Sequence, residues 1–144
     1  MRNVFLALLL GGAAALGSAQ AADGMAAHSR PADARVYIIS PADGAHVGPT
    51  VTVRFGLSGM GVAPAGVMHA NTGHHHLLVD VDTLPKAGVP IPNDAHHHHF
   101  GGGQTQTTLH LTPGTHTLQL ELADAAHVPF DPPLVSKKIT IHVK

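Results

Sequence analysis

Val51, Val53, Phe55 and Leu57 alternate with Thr52, Arg54 and Gly56 in the stretch TVTVRFGL, a strict period of two. Successive side chains of an extended strand point to opposite faces, so this segment reads as a strand with one buried and one wet side. The same period recurs along the chain. In HHHLLVDVD it puts His75, Leu77, Val79 and Val81 on one face and His74, His76, Leu78, Asp80 and Asp82 on the other. Leu118, Leu120 and Leu122 share a face in HTLQLEL, as do Ile139, Ile141 and Val143 near the end. Residues 36–40 form a further short β-rich run that ends in the turn PADG. TQTTLHL is a strand, and the TPGT after it predicts a tight hairpin back into HTLQLEL. No segment sustains a helical period. Short strands separated by turn signals predict an all-β fold, an antiparallel immunoglobulin-like β-sandwich over residues 35–144. The chain has no Cys and no Trp. The Cys–Trp–Cys signature is therefore missing, and the expectation concerns architecture, not ancestry.

The sequence before that domain reads differently. MRNVFLALLLGGAAALGSAQA carries Arg2, a short apolar run and a small-x-small ending, the pattern of a cleaved secretory signal peptide over residues 1–21. The run is too short for a confident membrane span, and no later segment is apolar enough for one. Residues 22–34 are small, polar and aperiodic, and read as a flexible leader. The expected destination is the periplasm, or secretion. An exported domain without cysteine must hold together by its core and offers no thiolate to a metal. A net charge of −1 gives nothing to attract nucleic acid. Aromatic content of 3 % weighs against a carbohydrate site built on stacking.

The 14 histidines are clustered. Residues i and i+2 on a strand share a face about 7 Å apart, so two imidazoles so spaced can converge on one ion. His74 and His76 have this spacing in NTGHHHLLVDVD. His97 and His99 have it in DAHHHHFGGGQT, as do the overlapping His96 and His98. Both clusters adjoin long loops, and a third histidine-bearing loop, ADAAHVPFDPP, holds His127. Two His pairs from different segments supply four nitrogens, which suits copper and, next, zinc. Asp80 and Asp82 are candidate carboxylates for orienting the imidazoles, or ordinary solvent-facing residues. Met60 and Met68 are candidate thioether ligands for copper(I), or packing residues. His110 and His142 read as solvated, His116 as an edge-of-core residue, and His69 as part of the loop feeding the first cluster.

Read in order, GMGVAPAG, NTGHHHLLVDVD, HHFGGGQTQTTL, PGTHTLQLELAD and HVPFDPPLVSKKITI resemble the bacterial domain-of-unknown-function family 4399 over about residues 36–144. The resemblance implies a small, exported, β-rich protein. It places the family's His-x-His before Phe-Gly-Gly-Gly-Gln on His97 and His99, its Gly-His-His-His on residues 73–76, and a loop histidine on His127. Phe130 stands where a histidine is expected in many relatives.

The leading expectation is a periplasmic protein that binds copper, with zinc second, for trafficking, buffering or tolerance. Its ligands are His74, His76, His97 and His99, with His127 as an auxiliary. Thr72, Gly73 and Gly101 to Gly103 shape the loops. Protonated imidazole does not bind metal, so affinity is expected to fall below about pH 6. The expected partners are the metal ion and a second metal-handling protein. Two alternatives stand beside it: an immunoglobulin-like module that binds a non-metal partner, and a small metalloenzyme with an open coordination position.

Overall fold

A computed structural model describes residues 27–144. The expected signal peptide and the first part of the leader lie outside the described residues. Every regular element among the described residues is a strand. In chain order they are β1 (Arg35–Ser40), β2 (His46–Val47), β3 (Thr50–Ser58), β4 (Gly61–Val62) and β5 (Thr72–Val79). Then follow β6 (His97–His99), β7 (Gln106–His110), β8 (Gly114–Ala123), β9 (Pro129–Val135) and β10 (Ile139–Val143). None of the described residues forms a helix long and apolar enough to cross a membrane.

The strands make two sheets. One has the order β1-β3-β7; the other runs β2-β10-β8-β5-β4, with β6 also on β5 and β9 also on β8. The two pack face to face as a β-sandwich. Val51, Val53, Phe55 and Leu109 of the smaller sheet meet Leu77, Leu118, Leu120, Leu122 and Ile141 of the larger in one apolar core. These are the residues that a period of two assigns inward, and burying them out of water is the main force joining the sheets.

Three local readings change. TPGT does not close a hairpin. β7 pairs with β3, whereas β8 pairs with β5 and β10, so the turn carries the chain from one sheet to the other. Leu109 and Leu118 then enter the same core from opposite sides. HHLLVDVD stops being a strand after Val79, because Asp80 adopts a left-handed backbone with φ 55°. Finally, each of the three long loops contains a strand. β4 runs parallel to the start of β5, β6 pairs antiparallel with β5, and β9 pairs with β8. β9 carries Pro129, Pro132 and Pro133, which an outer strand tolerates because fewer of its N–H groups are needed for pairing.

The described part of the leader lies against β9. The Asp131 amide donates to the His28 carbonyl, and Arg30 Nε donates to the Pro132 carbonyl.

Candidate metal centre

β5 is the scaffold of the site. It has β8 along one side and β4 and β6 along the other, and residues 73–79 are all buried. His75, Leu77 and Val79 face the core, where the His75 ring packs 5.2 Å from that of Phe55. The other face carries His74, His76 and Leu78. It is not open to water, because the segments after β4, β5 and β8 fold across it. Backbone bonds tie them together: Ala65 N to Gly101 O, Gly66 N to Ala125 O, and Ile91 N to His127 O. Gly73 fits because a Cβ there would stand 2.5 Å from the Ala123 carbonyl of β8.

Under this cover four imidazoles converge. His74, His76, His99 and His127 each present a ring nitrogen, all within 4.8 Å of one another. His74 Nε2 lies 3.1 Å from His76 Nε2 and 3.1 Å from His127 Nδ1. The His99 ring centroid is 5.0 Å from that of His74 and 4.7 Å from that of His127. Nitrogens bound to one ion at about 2.0–2.1 Å stand about 3.3 Å apart in a tetrahedron and about 2.9 Å apart in a square plane. The observed 3.1 Å falls between these values.

Each ligand is placed by a different local device. His74 and His76 are two apart on β5. His99 is opposite His76 in the β5–β6 pairing. Its ring occupies the space of an absent side chain, since a Cβ on Gly101 would come within 2.6 Å of His99 Nε2. His127 has φ 67°, a left-handed conformation uncommon for a residue with a side chain. Asp124 holds that turn: its Oδ1 accepts from Ala126 N and Val128 N, and its Oδ2 meets His28 Nδ1 at 2.8 Å.

The electrostatics favour the neutral form of three of these rings. Burial, and then the neighbouring imidazoles, push His74 down from 6.5 to about 4 and His76 to about 2. Burial and His127 also lower His99. Neutral imidazoles are the form that binds metal. Their hydrogen bonding is incomplete: His74 Nδ1, His76 Nδ1 and His99 Nε2 are buried without a partner.

The expected ligands divide accordingly. His74, His76, His99 and His127 come together, while His97 does not join them. Its Nδ1 bonds Asp94 at 2.9 Å, and it stands opposite Leu78, farther along β5. Asp80 does not reach the cluster either, because its carboxylate takes His116 Nδ1 at 2.7 Å and the Thr117 amide at 2.8 Å. Asp82 is exposed. Met60 packs against the apolar core, and Met68 is 82 % exposed. Phe130 is part of the core.

Two further buried groups lie outside the expected set. Glu121 is fully buried, neither of its oxygens has a partner, and burial raises it from 4.5 to about 7. Its position between Leu120 and Leu122 marks it in sequence as a solvent-facing residue. The only contrary signal is its place on the outward face of a leucine-rich strand beside the histidine strand. His75 is the second, with both ring nitrogens buried and unpartnered and its value lowered to about 4 by burial.

The sequence profile of a family described as Domain of unknown function (DUF4399) matches residues 53–144. The chain belongs to that family. The match spans β5, β6 and the turn after β8, and so contains the whole four-histidine cluster. No curated protein and no solved structure matches the chain.

Proposed function

We propose that this DUF4399 protein binds one transition-metal ion, copper first and zinc second, through His74, His76, His99 and His127. We also propose that it works in the periplasm in metal trafficking, buffering or tolerance. The packing around His74 Nε2 carries the reading. That atom has two other ring nitrogens at 3.1 Å, and one imidazole nitrogen has only a single proton or a single lone pair to offer. A cation at the centre gives every lone pair the same partner and removes the conflict. Four nitrogen donors without thiolate suit copper(II) and zinc, and copper(II) binds tighter in the usual order. A full set of four protein ligands favours holding an ion over catalysis, which needs an open position. The pattern of residues 1–21 supports export, and a second metal-handling protein would then be the exchange partner.

The test is a competitive titration of the metal-free protein with copper(I), copper(II) and zinc. A His74/His76/His99/His127-to-Asn variant is titrated beside it. The expected result is one tightly bound ion per wild-type chain, lost in the variant. Weak uptake of several ions that the variant keeps would overturn the proposal and leave a non-metal binding module.

A further inference from the structure

The strand next to the histidines brings a carboxylate to their face. Glu121 stands directly opposite His76 in the β5–β8 pairing. Its neighbours Leu120 and Leu122 point into the core, so Glu121 projects to the side where His74 and His76 project. Cβ atoms of directly opposed residues are about 4.5–5.5 Å apart, within reach of a glutamate side chain. Both members of this pair lack partners on their free ends. Glu121 Oε1 and Oε2 are buried and unbonded, and so is His76 Nδ1. The other nitrogen of that ring, Nε2, is the one turned toward the cluster. No ion pair among the described residues engages Glu121.

Chemistry joins these observations. A neutral imidazole that ligates through Nε2 must carry its proton on Nδ1. Metal-bound histidines nearly always donate that second N–H to a carboxylate, a carbonyl or water, which fixes the ring's tautomer and orientation. Here both side chains are buried away from bulk water. The other nearby acid, Asp124, is committed to two backbone amides and to His28. We infer that Glu121 is the positioning residue of the centre, accepting the Nδ1–H of His76 when the metal is bound and setting a negative charge behind the cation. The inference rests on the four-histidine reading. It accounts for a buried carboxylate that forms no ion pair among the described residues.

Glu121→Leu removes the acceptor, and Glu121→Gln keeps the shape while removing the charge. Zinc affinity is measured by competition for wild type and both variants. The zinc-bound protein is examined by NMR for the Nδ1–H proton of His76, and metal-free stability is measured in urea. The expected result is one zinc per chain in all three proteins. Affinity should fall about 10- to 100-fold for Leu and less for Gln. The His76 Nδ1–H signal should be slow to exchange and shifted downfield in wild type, and should move upfield in both variants. Metal-free stability should be unchanged or higher, which a loss of fold would not produce. If Leu fails to fold, Gln decides by the same two readouts. A folded variant that binds zinc as tightly as wild type, with the His76 signal unmoved, overturns this inference alone. A wild-type protein that takes up no zinc or copper overturns the four-histidine reading, and this inference with it.

Discussion

The metal-free protein should lose stability steeply on mild acidification. His74, His75 and His76 have usual values of 6.5 but fold with values of about 4, about 4 and about 2. A lowered histidine value means that the unfolded chain binds protons the folded chain refuses. Stability is therefore lost as pH falls from 6.5 toward the folded values. Between about pH 7.5 and about pH 5, each unfolded histidine gains about 2 kcal/mol from protonation while its folded counterpart gains almost nothing. The three together remove about 6 kcal/mol. Glu121 acts in the opposite sense. Its value rises from 4.5 to about 7 on folding, so the folded chain gains about 2.5 kcal/mol over the same interval. His99, lowered by burial, adds to the loss, and His116, raised by its bond to Asp80, opposes it. The histidines win by about 3.5 kcal/mol, a large share of the 5–15 kcal/mol that holds a typical domain. Urea unfolding of the chelator-treated protein should show a midpoint lower by about 1–3 M at the lower pH. His75→Leu removes one of the three groups without touching the cluster and should recover about 2 kcal/mol of that difference. A midpoint that stays constant or rises on acidification would refute the claim that these imidazoles are buried neutral.

The same depressed values move the pH limit of metal binding. His74 and His76 stay neutral well below pH 6, so their own protonation should not release the ion until the pH nears the folded value of about 4, below the limit that an unperturbed histidine suggests; NMR of both rings during a pH titration of the loaded protein checks this. Gly101→Ala should displace the His99 ring and weaken metal binding at least tenfold, about 1.4 kcal/mol, as read by competition against a chelator of known affinity. His97→Asn should leave affinity within about twofold of wild type, because His97 serves Asp94 instead of the cluster.

The alternation of Val51, Val53 and Phe55, and of Leu118, Leu120 and Leu122, made the sandwich and its core legible. That signal is local and needs only one buried face per strand. The faces of β5 were legible for the same reason. No hairpin follows β7 despite its TPGT, because a turn sequence specifies its own backbone, not the sheet that the next strand joins. His96 to His99 are chemically identical, so their spacing cannot choose the register. Pairing of β6 against β5 chooses it, setting His99 opposite His76 and His97 opposite Leu78. Glu121 is not legible in sequence because alternation predicts water on its side of β8, whereas loops from distant parts of the chain cover it. His127 was visible only as a loop histidine; its left-handed backbone and the Asp124 contacts that hold it are tertiary.

The four imidazoles come from β5, from β6 and from the turn after β8, and are gathered only once those pieces are in place. An ion held by all of them would fasten a mid-chain strand to a turn some fifty residues later. In a chain without cysteine, such a clasp would take the part that a disulfide plays elsewhere. Unlike a disulfide, it opens to a chelator or a competing ligand. Delivery of the cargo would then loosen the segments that cover the site, so the emptied protein should be cut by proteases in those segments sooner than the loaded one.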